Sequence, residues 1–296
     1  SAAPRVRALH SAQGDRMLGR DDLVLCSGTL LTHAFQSLVE AAVAGGYGAI
    51  TLWPQDVARA HAEGLSDADL RQMLADNGLR VADLDPLMDW TAQAVPGPGE
   101  SRFEMASEDD FLRIAEALGA RSINAVQGFG SELELDRAAE DLAGVCDRAA
   151  EHGLLVTVEF LPWSGIPDAA TACDLVERTG RKNATVLVDT WHWFRGGASL
   201  DQLRAIPGER IGSTQFNDAP VQSWENLVDE TMEARLNPGE GAIPLVEVVQ
   251  VLDAIGSTAP IGVEVFNKRH ESMTAAEVGR NTAEAMRRVL DAARDA

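Results

Sequence analysis

The sequence is poor in positive charge. Its 296 residues include 25 Lys and Arg against 46 Asp and Glu, which gives a formal net charge of −21 at pH 7. A surface of this charge repels the phosphates of nucleic acids and the head groups of anionic membranes. We therefore expect no nucleic-acid partner and no membrane partner.

A disulfide framework, a long apolar segment and a secretory leader are also absent from the sequence. The three cysteines, Cys26, Cys146 and Cys173, are widely spaced and odd in number, a pattern typical of free thiols in a reducing compartment. No apolar run reaches the roughly 18 residues that a transmembrane helix needs. The N-terminal stretch SAAPRVRALHSAQGDR is basic and polar and has no apolar core. We therefore expect a cytoplasmic protein.

Two further absences narrow the fold. No GxGxxG motif follows the first predicted strand, which argues against a dinucleotide-binding domain, and no linker divides the chain. Apolar strands alternate instead with helices, and eight strands are predicted: Asp22–Gly28, Ala49–Trp53, Leu79–Leu87, Ser122–Gln127, Leu154–Phe160, Thr185–Asp189, Arg210–Phe216 and Pro260–Phe266. The predicted helices are His33–Gly46, Ser66–Gly78, Glu108–Leu118, Leu133–His152, Asp168–Thr179, a short one from Ser199, Ile243–Ile255 and a last one from Thr274.

Strands that are apolar throughout and separated by helices form a parallel sheet covered on both faces. Eight such units in 296 residues, of which 45% are hydrophobic, predict an α/β protein with one domain, a (β/α)₈ TIM barrel. We expect residues 1–20 to form an N-terminal arm and residues 21–296 to form the barrel. The active site of such a barrel lies at the C-terminal ends of its strands.

Four consecutive predicted strands each carry an oxygen-bearing side chain near that end. These residues are Glu159, Asp189, Gln215 and Glu264. Three carboxylates and a carboxamide that converge on one point repel one another unless a cation lies between them. Their oxygen atoms suit Mn²⁺ or Mg²⁺, with Co²⁺ or Zn²⁺ as alternatives. The competing interpretation is that each side chain caps a helix or binds a backbone amide at the rim.

The order of these residues resembles that of a known family. VEF at Glu159 is followed by DTWH at Asp189, QFND at Gln215, NPGEG at 237–241 and VEVF at Glu264. This order is similar to that of the sugar phosphate isomerase/epimerase superfamily, the xylose isomerase-like TIM barrels, which include ketose 3-epimerases, inosose dehydratases and the endonuclease IV branch. The second half of the chain matches closely, whereas the first half matches by its alternation of strands and helices.

The resemblance implies one divalent metal ion with four ligands: Glu159, Asp189, Gln215 and Glu264. It also implies that His192 contacts the substrate or supports the metal ligands, and that Arg235, just before NPGEG, reaches the substrate. Many sugar epimerases of the superfamily have histidine where this chain has Gln215. A neutral oxygen donor at that position leaves the preferred metal and the reaction open.

Such a site is suited to proton transfer next to a carbonyl. A metal bound by a ketone oxygen and a neighbouring hydroxyl stabilises the enediolate that forms on deprotonation. Glu159 and Glu264, the predicted catalytic residues, would remove and return the proton. The leading hypothesis is therefore an isomerase or epimerase of a keto-sugar, keto-glycoside or cyclic polyol. A dehydratase or lyase using the same site is the alternative, and a non-catalytic sugar-binding barrel is a second one; a homo-oligomer is left open.

The six tryptophans all lie on the predicted catalytic face. Aromatic rings stack on the C–H faces of sugars, and indole N–H groups bind hydroxyls. We therefore predict a substrate pocket walled by four of them: Trp53, Trp163, Trp191 and Trp193. Only one of the last two can point the way His192 does, and packing within loops is the alternative for any single tryptophan. Asn217 and Asp218, after strand 7, are expected to orient the metal ligands.

Overall fold

A computed structural model describes residues 17–93, 106–130 and 132–295 of the chain. Eight parallel strands form a closed barrel in which each strand pairs with its neighbours in sequence and the last pairs with the first. The strands are β1 Leu23–Leu25, β2 Ala49–Leu52, β3 Arg80–Leu87, β4 Ser122–Val126, β5 Leu155–Glu159, β6 Ala184–Asp189, β7 Ile211–Phe216 and β8 Ile261–Val263. The predicted (β/α)₈ barrel is confirmed.

Helices occupy the connections between the strands. Within the described ranges they are α1 Phe35–Gly45, α2 Pro54–Ala62, α3 Asp67–Asp76, α4 Glu108–Leu118, α5 Leu135–Glu151, α6 Ala169–Thr179, α7 Thr190–Arg195, α8 Leu200–Ala205, α9 Leu227–Glu233, α10 Leu245–Ala254 and α11 Ala275–Arg294. Short 3₁₀ helices cover Ser27–Leu30, Gly208–Arg210 and Lys268–Ser272. The first of these ends β1 earlier than the sequence pattern predicted.

Three helices lie in segments for which the sequence pattern predicted no helix. Helix α2 begins directly after β2 at Pro54, and the Asp56 carboxylate accepts from the backbone N–H of Trp53 at 2.8 Å. Helix α7 begins directly after β6 and is capped by Asp189. Helix α9 lies inside the loop predicted after β7 and is capped by Asn226. These helices are short and start beside a strand or within a polar segment, so their periodicity is weak.

The register of the strands brings polar side chains to one rim of the barrel. Glu159 ends β5, Asp189 ends β6, and Gln215 is the next-to-last residue of β7. Asp189 and Gln215 are direct partners across β6 and β7. Glu264 follows β8, and its backbone N–H donates to the carbonyl of Phe216 at 3.0 Å. Four neighbouring strands therefore present their predicted site residues at the same end of the barrel.

The barrel interior below this rim also contains a carboxylate. Asp83 on β3 is buried and accepts from the hydroxyl of Ser122 on β4. It also accepts from Ser213 Oγ on β7, across the barrel, at 2.6 Å. Because a buried carboxylate is costly without hydrogen-bond partners, these hydroxyls make Asp83 a satisfied part of the core.

Part of the predicted N-terminal arm falls within the described residues. Leu18 packs with Val24, Ala49 and Ala82 on β1, β2 and β3. Residues 1–16 lie outside the described residues, so the division of the chain at residue 20 stays a prediction. Among the helices of the described ranges, none combines the length and the apolar character required to cross a membrane.

Helices α1 and α11 pack closely at two glycines, Gly45 and Gly279. A Cβ added to Gly279 of α11 would overlap the carbonyl oxygen of Ala41 in α1. Gly144 also lies inside a helix, α5, but a Cβ there would meet only the flexible end of the Arg148 side chain. The same substitution therefore has opposite expected effects at the two positions.

We expect Gly279→Ala to destabilise the fold by about 1–3 kcal/mol, because the new methyl group forces α1 and α11 apart. Gly144→Ala is the matched control and should stabilise the fold by up to about 1 kcal/mol, because glycine loses more conformational entropy in a helix. Urea unfolding followed by tryptophan fluorescence measures both free energies. Equal effects of the two substitutions would contradict the close packing of α1 against α11.

Candidate active site

A cavity of about 610 Å³ opens at the C-terminal ends of the strands. Its polar floor is formed by six side chains: Asp85, Glu159, His192, Gln215, Arg235 and Glu264. Its wall is mainly apolar and includes Trp53, Met88, Phe129, Trp163, Met232 and Phe266. An apolar concavity with a few convergent polar groups is typical of a small-molecule site.

Asp189 lies just beneath this floor and is fully buried. Its Oδ1 accepts from the backbone N–H groups of Trp191 at 2.8 Å and His192 at 3.0 Å. Its Oδ2 accepts from Arg235 NH1 at 2.8 Å and from Asn217 Nδ2 at 3.1 Å. One carboxylate oxygen therefore caps α7, as the competing interpretation of the sequence proposed, while the other belongs to the site.

Arg235 brings positive charge into the carboxylate cluster, which we define as Glu159, Asp189 and Glu264. The Arg235 side chain is almost completely buried, and its NH1 lies 2.8 Å from Asp189 Oδ2 and 3.3 Å from Glu264 Oε2. Its Nε and NH2 donate to Thr231 Oγ1 at 3.0 and 2.9 Å. The guanidinium offsets part of the negative charge of the cluster and is held in place by α9.

Burial makes ionisation of Glu159 and Glu264 unfavourable. Burial raises the pKa of Glu159 well above its usual range, and the charges of Asp189 and Glu264 raise it further, while Asn124 Nδ2, which donates to Glu159 Oε2 at 2.8 Å, lowers it. Burial also raises the pKa of Glu264 to about 8, although the Arg235 guanidinium acts in the opposite direction. These carboxyl groups therefore gain from additional positive charge in the site.

His192 is a neutral ring next to the cluster. Burial lowers the pKa of His192 to about 3, so the imidazole is uncharged at physiological pH. Its Nε2 lies 3.3 Å from Glu159 Oε1 and 3.2 Å from Arg235 NH2. Its Nδ1 is buried and has no hydrogen-bond partner among the described residues. Trp163 packs edge-on against the ring, with 5.5 Å between ring centroids.

The arrangement of donor atoms fits a divalent cation. Ligand atoms of Glu159, Asp189 and His192 all lie within 4.8 Å of one another. An atom of the Gln215 amide lies 3.2 Å from Asp189 Oδ2 and 3.1 Å from Glu264 Oε2. Neighbouring oxygens around an octahedral Mg²⁺ are about 3 Å apart, because each metal–oxygen bond is about 2.1 Å. The described residues thus include a group that could hold a metal ion.

Two of the four tryptophans predicted to wall the pocket line the cavity, and two do not. Trp53 and Trp163 are part of the wall. Trp191 is fully buried, and its Nε1 donates to Glu230 Oε1 at 3.0 Å. Trp193 is buried, and its Nε1 donates to a backbone carbonyl at 3.2 Å. The expectation that one of this pair faces the pocket is corrected, because α7 starts at once after β6 and turns both indoles into the protein.

The two residues expected to orient metal ligands lie in different surroundings. Asn217 is buried beside Asp189, to which its Nδ2 donates. Asp218 instead accepts from the backbone N–H groups of residues 239, 241 and 243 at 2.9–3.0 Å. The Asp218 carboxylate therefore organises the PGEG turn, whereas we had expected it to act on the metal ligands.

Sequence analysis did not identify three polar side chains of the site. Asp85 on β3 forms part of the cavity floor, Asn124 on β4 donates to Glu159, and Thr231 on α9 binds Arg235. For Asp85 and Asn124 the available signal is a polar residue inside an apolar strand, which is the signal that identified Glu159. Thr231 lies in a segment predicted as loop, where no sequence pattern pointed to it.

A buried ion pair attaches α9 to α7. Glu230 on α9 is fully buried, and its Oε1 lies 2.7 Å from Arg195 NH2 and 2.8 Å from Arg195 Nε. The same oxygen accepts from Trp191 Nε1. Thr231 follows Glu230 directly, and Arg235 lies just beyond the end of α9. The ion pair therefore helps to position the side chains that approach the site from the segment after β7.

Comparisons with known proteins agree with this architecture. The family model described as xylose isomerase-like TIM barrel matches residues 39–294. The chain is 26% identical over 269 residues to the 3-dehydroshikimate dehydratase of Pseudomonas aeruginosa, a match that covers 88% of this chain and 40% of that protein. The chain therefore spans well under half of the length of that curated relative.

Two further proteins match most of both chains. The chain is 25% identical over 239 residues to the inosose isomerase of Bacillus velezensis, which covers 78% of this chain and 83% of that protein. The solved structure of the IOLI protein with a bound zinc atom is similar with a TM-score of 0.80 at 21% identity, covering 91% of this chain and 98% of that one. At 21% identity, the similarity to the IOLI protein shows that the two chains share a fold.

The buried ion pair between α7 and α9 can be tested by unfolding. We expect Glu230→Leu and Arg195→Leu each to lower the free energy of unfolding by about 3–5 kcal/mol, because each leaves a buried charge without its partner. The double variant should lose less than the sum, since it removes both charges. Urea denaturation measures all three values.

Arg204→Leu is the matched control for these variants. The Arg204–Asp201 pair is 2.7 Å long, but the Asp201 side chain is 92% exposed. Arg204→Leu should therefore lower the free energy of unfolding by less than about 1 kcal/mol. Strictly additive losses in the Glu230 and Arg195 double variant would contradict a coupled buried pair.

Proposed function

The chain belongs to the xylose isomerase-like TIM barrel family, and we propose that it is a divalent-metal-dependent enzyme that removes a proton next to the carbonyl of a small keto-sugar, a ketone derived from a cyclic polyol, or another cyclic ketone. One observation carries this proposal: the buried carboxylates of Glu159, Asp189 and Glu264 converge with the Gln215 amide at one end of the barrel, beside a cavity. Burying so many acidic groups is costly, and folding alone gives no reason for it.

We assign the metal to four ligands: Glu159, Asp189, Gln215 and Glu264. A divalent cation bound there would polarise the substrate carbonyl and offset the negative charge that develops as the proton leaves. An oxygen-rich donor set favours Mn²⁺ or Mg²⁺. The zinc atom bound by the IOLI protein keeps Zn²⁺ as an alternative.

Glu159 and Glu264 are the proposed acid–base pair. They lie at the ends of β5 and β8, so their carboxylates approach the cavity from separate strands. Asn124 binds Glu159 Oε2, and this contact orients Oε1 toward His192 and the site. One carboxylate would remove the proton and the other would return it to a different face or carbon, which gives epimerisation or isomerisation.

The remaining floor residues have binding roles in this proposal. His192 is neutral, so its ring would hydrogen-bond a substrate hydroxyl or carbonyl without adding a positive charge that competes with the metal ion. Arg235 faces the cavity beside Asp189 and Glu264, where its charge would favour a substrate oxygen that becomes negative. Trp53 and Trp163 offer aromatic surface in the wall, which suits a substrate with a ring.

A second candidate is a dehydratase that begins with the same proton abstraction. The observation that favours it is the 26% identity to the P. aeruginosa 3-dehydroshikimate dehydratase across 88% of this chain. In that reaction class the electrons of the broken C–H bond form a carbon–carbon double bond, and a hydroxyl on the next carbon leaves with a proton as water. The same floor residues would remove the proton in the isomerase and in the dehydratase, and the two reactions would differ only after that step.

We expect the protein with Mn²⁺ to exchange the proton next to the carbonyl with solvent deuterium in at least one of three compounds: 3-dehydroshikimate, an inosose or a ketose. Glu159→Gln and Glu264→Gln should each slow exchange by about 100-fold or more, because each removes a general base. Nuclear magnetic resonance measures the exchange. Mass spectrometry detects loss of water and so separates the dehydratase from the isomerase.

Glu233→Gln is the matched control, because the Glu233 carboxylate pairs with Lys268 Nζ at 2.7 Å and lies outside the carboxylate cluster. Exchange by this variant should equal that of the unchanged protein. Removal of the metal with a chelator should abolish exchange. Full exchange in both glutamate variants of the cluster would show that these residues are not the bases.

A further inference from the structure

The amide of Gln215 lies between Asp85 on one side and the carboxylates of Asp189 and Glu264 on the other. One of its two terminal atoms lies 3.2 Å from Asp189 Oδ2 and 3.1 Å from Glu264 Oε2. On its other side, Gln215 Nε2 lies 3.4 Å from Asp85 Oδ2. All four side chains are buried. Because an amide has a donor at one end and an acceptor at the other, a rotation of 180° exchanges what it offers to the two sides.

The two orientations of this amide suit different states of the site. With its nitrogen toward Asp189 and Glu264, the amide donates to both carboxylates, which suits the cluster without a cation. With its nitrogen toward Asp85, the amide oxygen joins the oxygens of Asp189 and Glu264 at the roughly 3 Å separation found around an octahedral cation. Only the second orientation makes Gln215 a metal ligand, and it requires an acceptor on the Asp85 side.

We propose that Asp85 is a positioning residue that holds the Gln215 amide in its metal-binding orientation by accepting its N–H. The proposal rests on the metal site of the proposed function and adds a residue outside the four assigned ligands. Its physical logic is that of histidine ligands, whose second N–H donates to a carboxylate that fixes the orientation of the ring. Gln215 needs such a partner because its two terminal atoms have similar size and opposite hydrogen-bonding character.

A comparison within β3 shows that the fold alone does not account for Asp85. Asp83 and Asp85 are two residues apart on this strand, so they share one face of it, and both are buried. Asp83 accepts from the hydroxyls of Ser122 and Ser213. Asp85 Oδ2 faces Gln215, and Asp85 Oδ1 has no hydrogen-bond partner among the described residues. Within the described ranges, Asn124 is the other side chain that hydrogen-bonds Asp85, so Asp85 is less well paired than Asp83. Its contact with Gln215 supplies a reason for its presence.

Mn²⁺ binding to the metal-free protein, measured by electron paramagnetic resonance, tests this proposal without a substrate. Asp85→Asn should weaken Mn²⁺ binding by about tenfold or more, because the new amide offers a donor as well as an acceptor and no longer selects one orientation. Gln215→Glu places an oxygen on both sides, so orientation no longer matters. In the Gln215→Glu background, Asp85→Asn should weaken binding by less than about threefold, because its N–H can donate to the new carboxylate.

Asp83→Asn is the matched control, since it removes a carboxylate from the same face of β3 without removing the acceptor beside Gln215. It should change Mn²⁺ affinity by less than about threefold, the size of a general charge effect at this distance. Thermal unfolding of the metal-free proteins checks that each variant folds. Asp85→Leu, which offers no acceptor, is the second variant and should show the same loss as Asp85→Asn.

The outcomes separate this proposal from the proposed function. A loss of Mn²⁺ affinity on Asp85→Asn by the same factor with glutamine and with glutamate at position 215 would overturn the role of Asp85 while leaving the metal site in place. Equal losses of Mn²⁺ affinity on Asp83→Asn and Asp85→Asn would do the same. Failure of the unchanged protein to bind Mn²⁺, Mg²⁺, Co²⁺ or Zn²⁺ would overturn the proposed metal site and the role of Asp85 with it.

Discussion

The mutual repulsion of buried carboxylates at one end of the barrel is the constraint on which the rest of the site depends. Glu159, Asp189 and Glu264 are all buried, and burial together with their proximity raises the pKa of Glu159 and Glu264. Arg235 offsets part of this charge through contacts with Asp189 and Glu264. Glu159 and Glu264 still lack enough positive charge to be ionised together, and the divalent cation that we propose would supply it.

The barrel supports this costly cluster with a second set of contacts that are themselves buried. Asn124 binds Glu159, Asn217 binds Asp189, and Thr231 holds Arg235. Thr231 in turn depends on α9, which the Arg195–Glu230 ion pair attaches to α7. The floor residues are therefore linked to packing well outside the cavity, and the same links fix the geometry that the proposed metal binding and proton transfer would require.

The fold and the main site residues could be predicted because barrel closure leaves little freedom. Once eight apolar strands are recognised, register brings the polar residue at each strand end to one rim, which is how Glu159 and Asp189 were identified. Strand register does not determine the direction of side chains that follow a strand. Trp191 turns away from the cavity because it binds Glu230, 39 residues further along the chain. Asp85 carried a usable signal, a polar residue inside an apolar strand, but its contact with Gln215, 130 residues further along the chain, is visible only in the closed barrel.

Anomalous X-ray diffraction from crystals soaked in Mn²⁺ locates the proposed metal ion independently of any substrate. We expect one strong peak at bonding distance from Glu159, Asp189, Gln215 and Glu264, with the Gln215 oxygen facing the ion. A cluster without a peak at saturating Mn²⁺, with Arg235 still paired to Asp189 and Glu264, would contradict the proposed metal site. In that case the guanidinium would be the cation for which the carboxylates were buried.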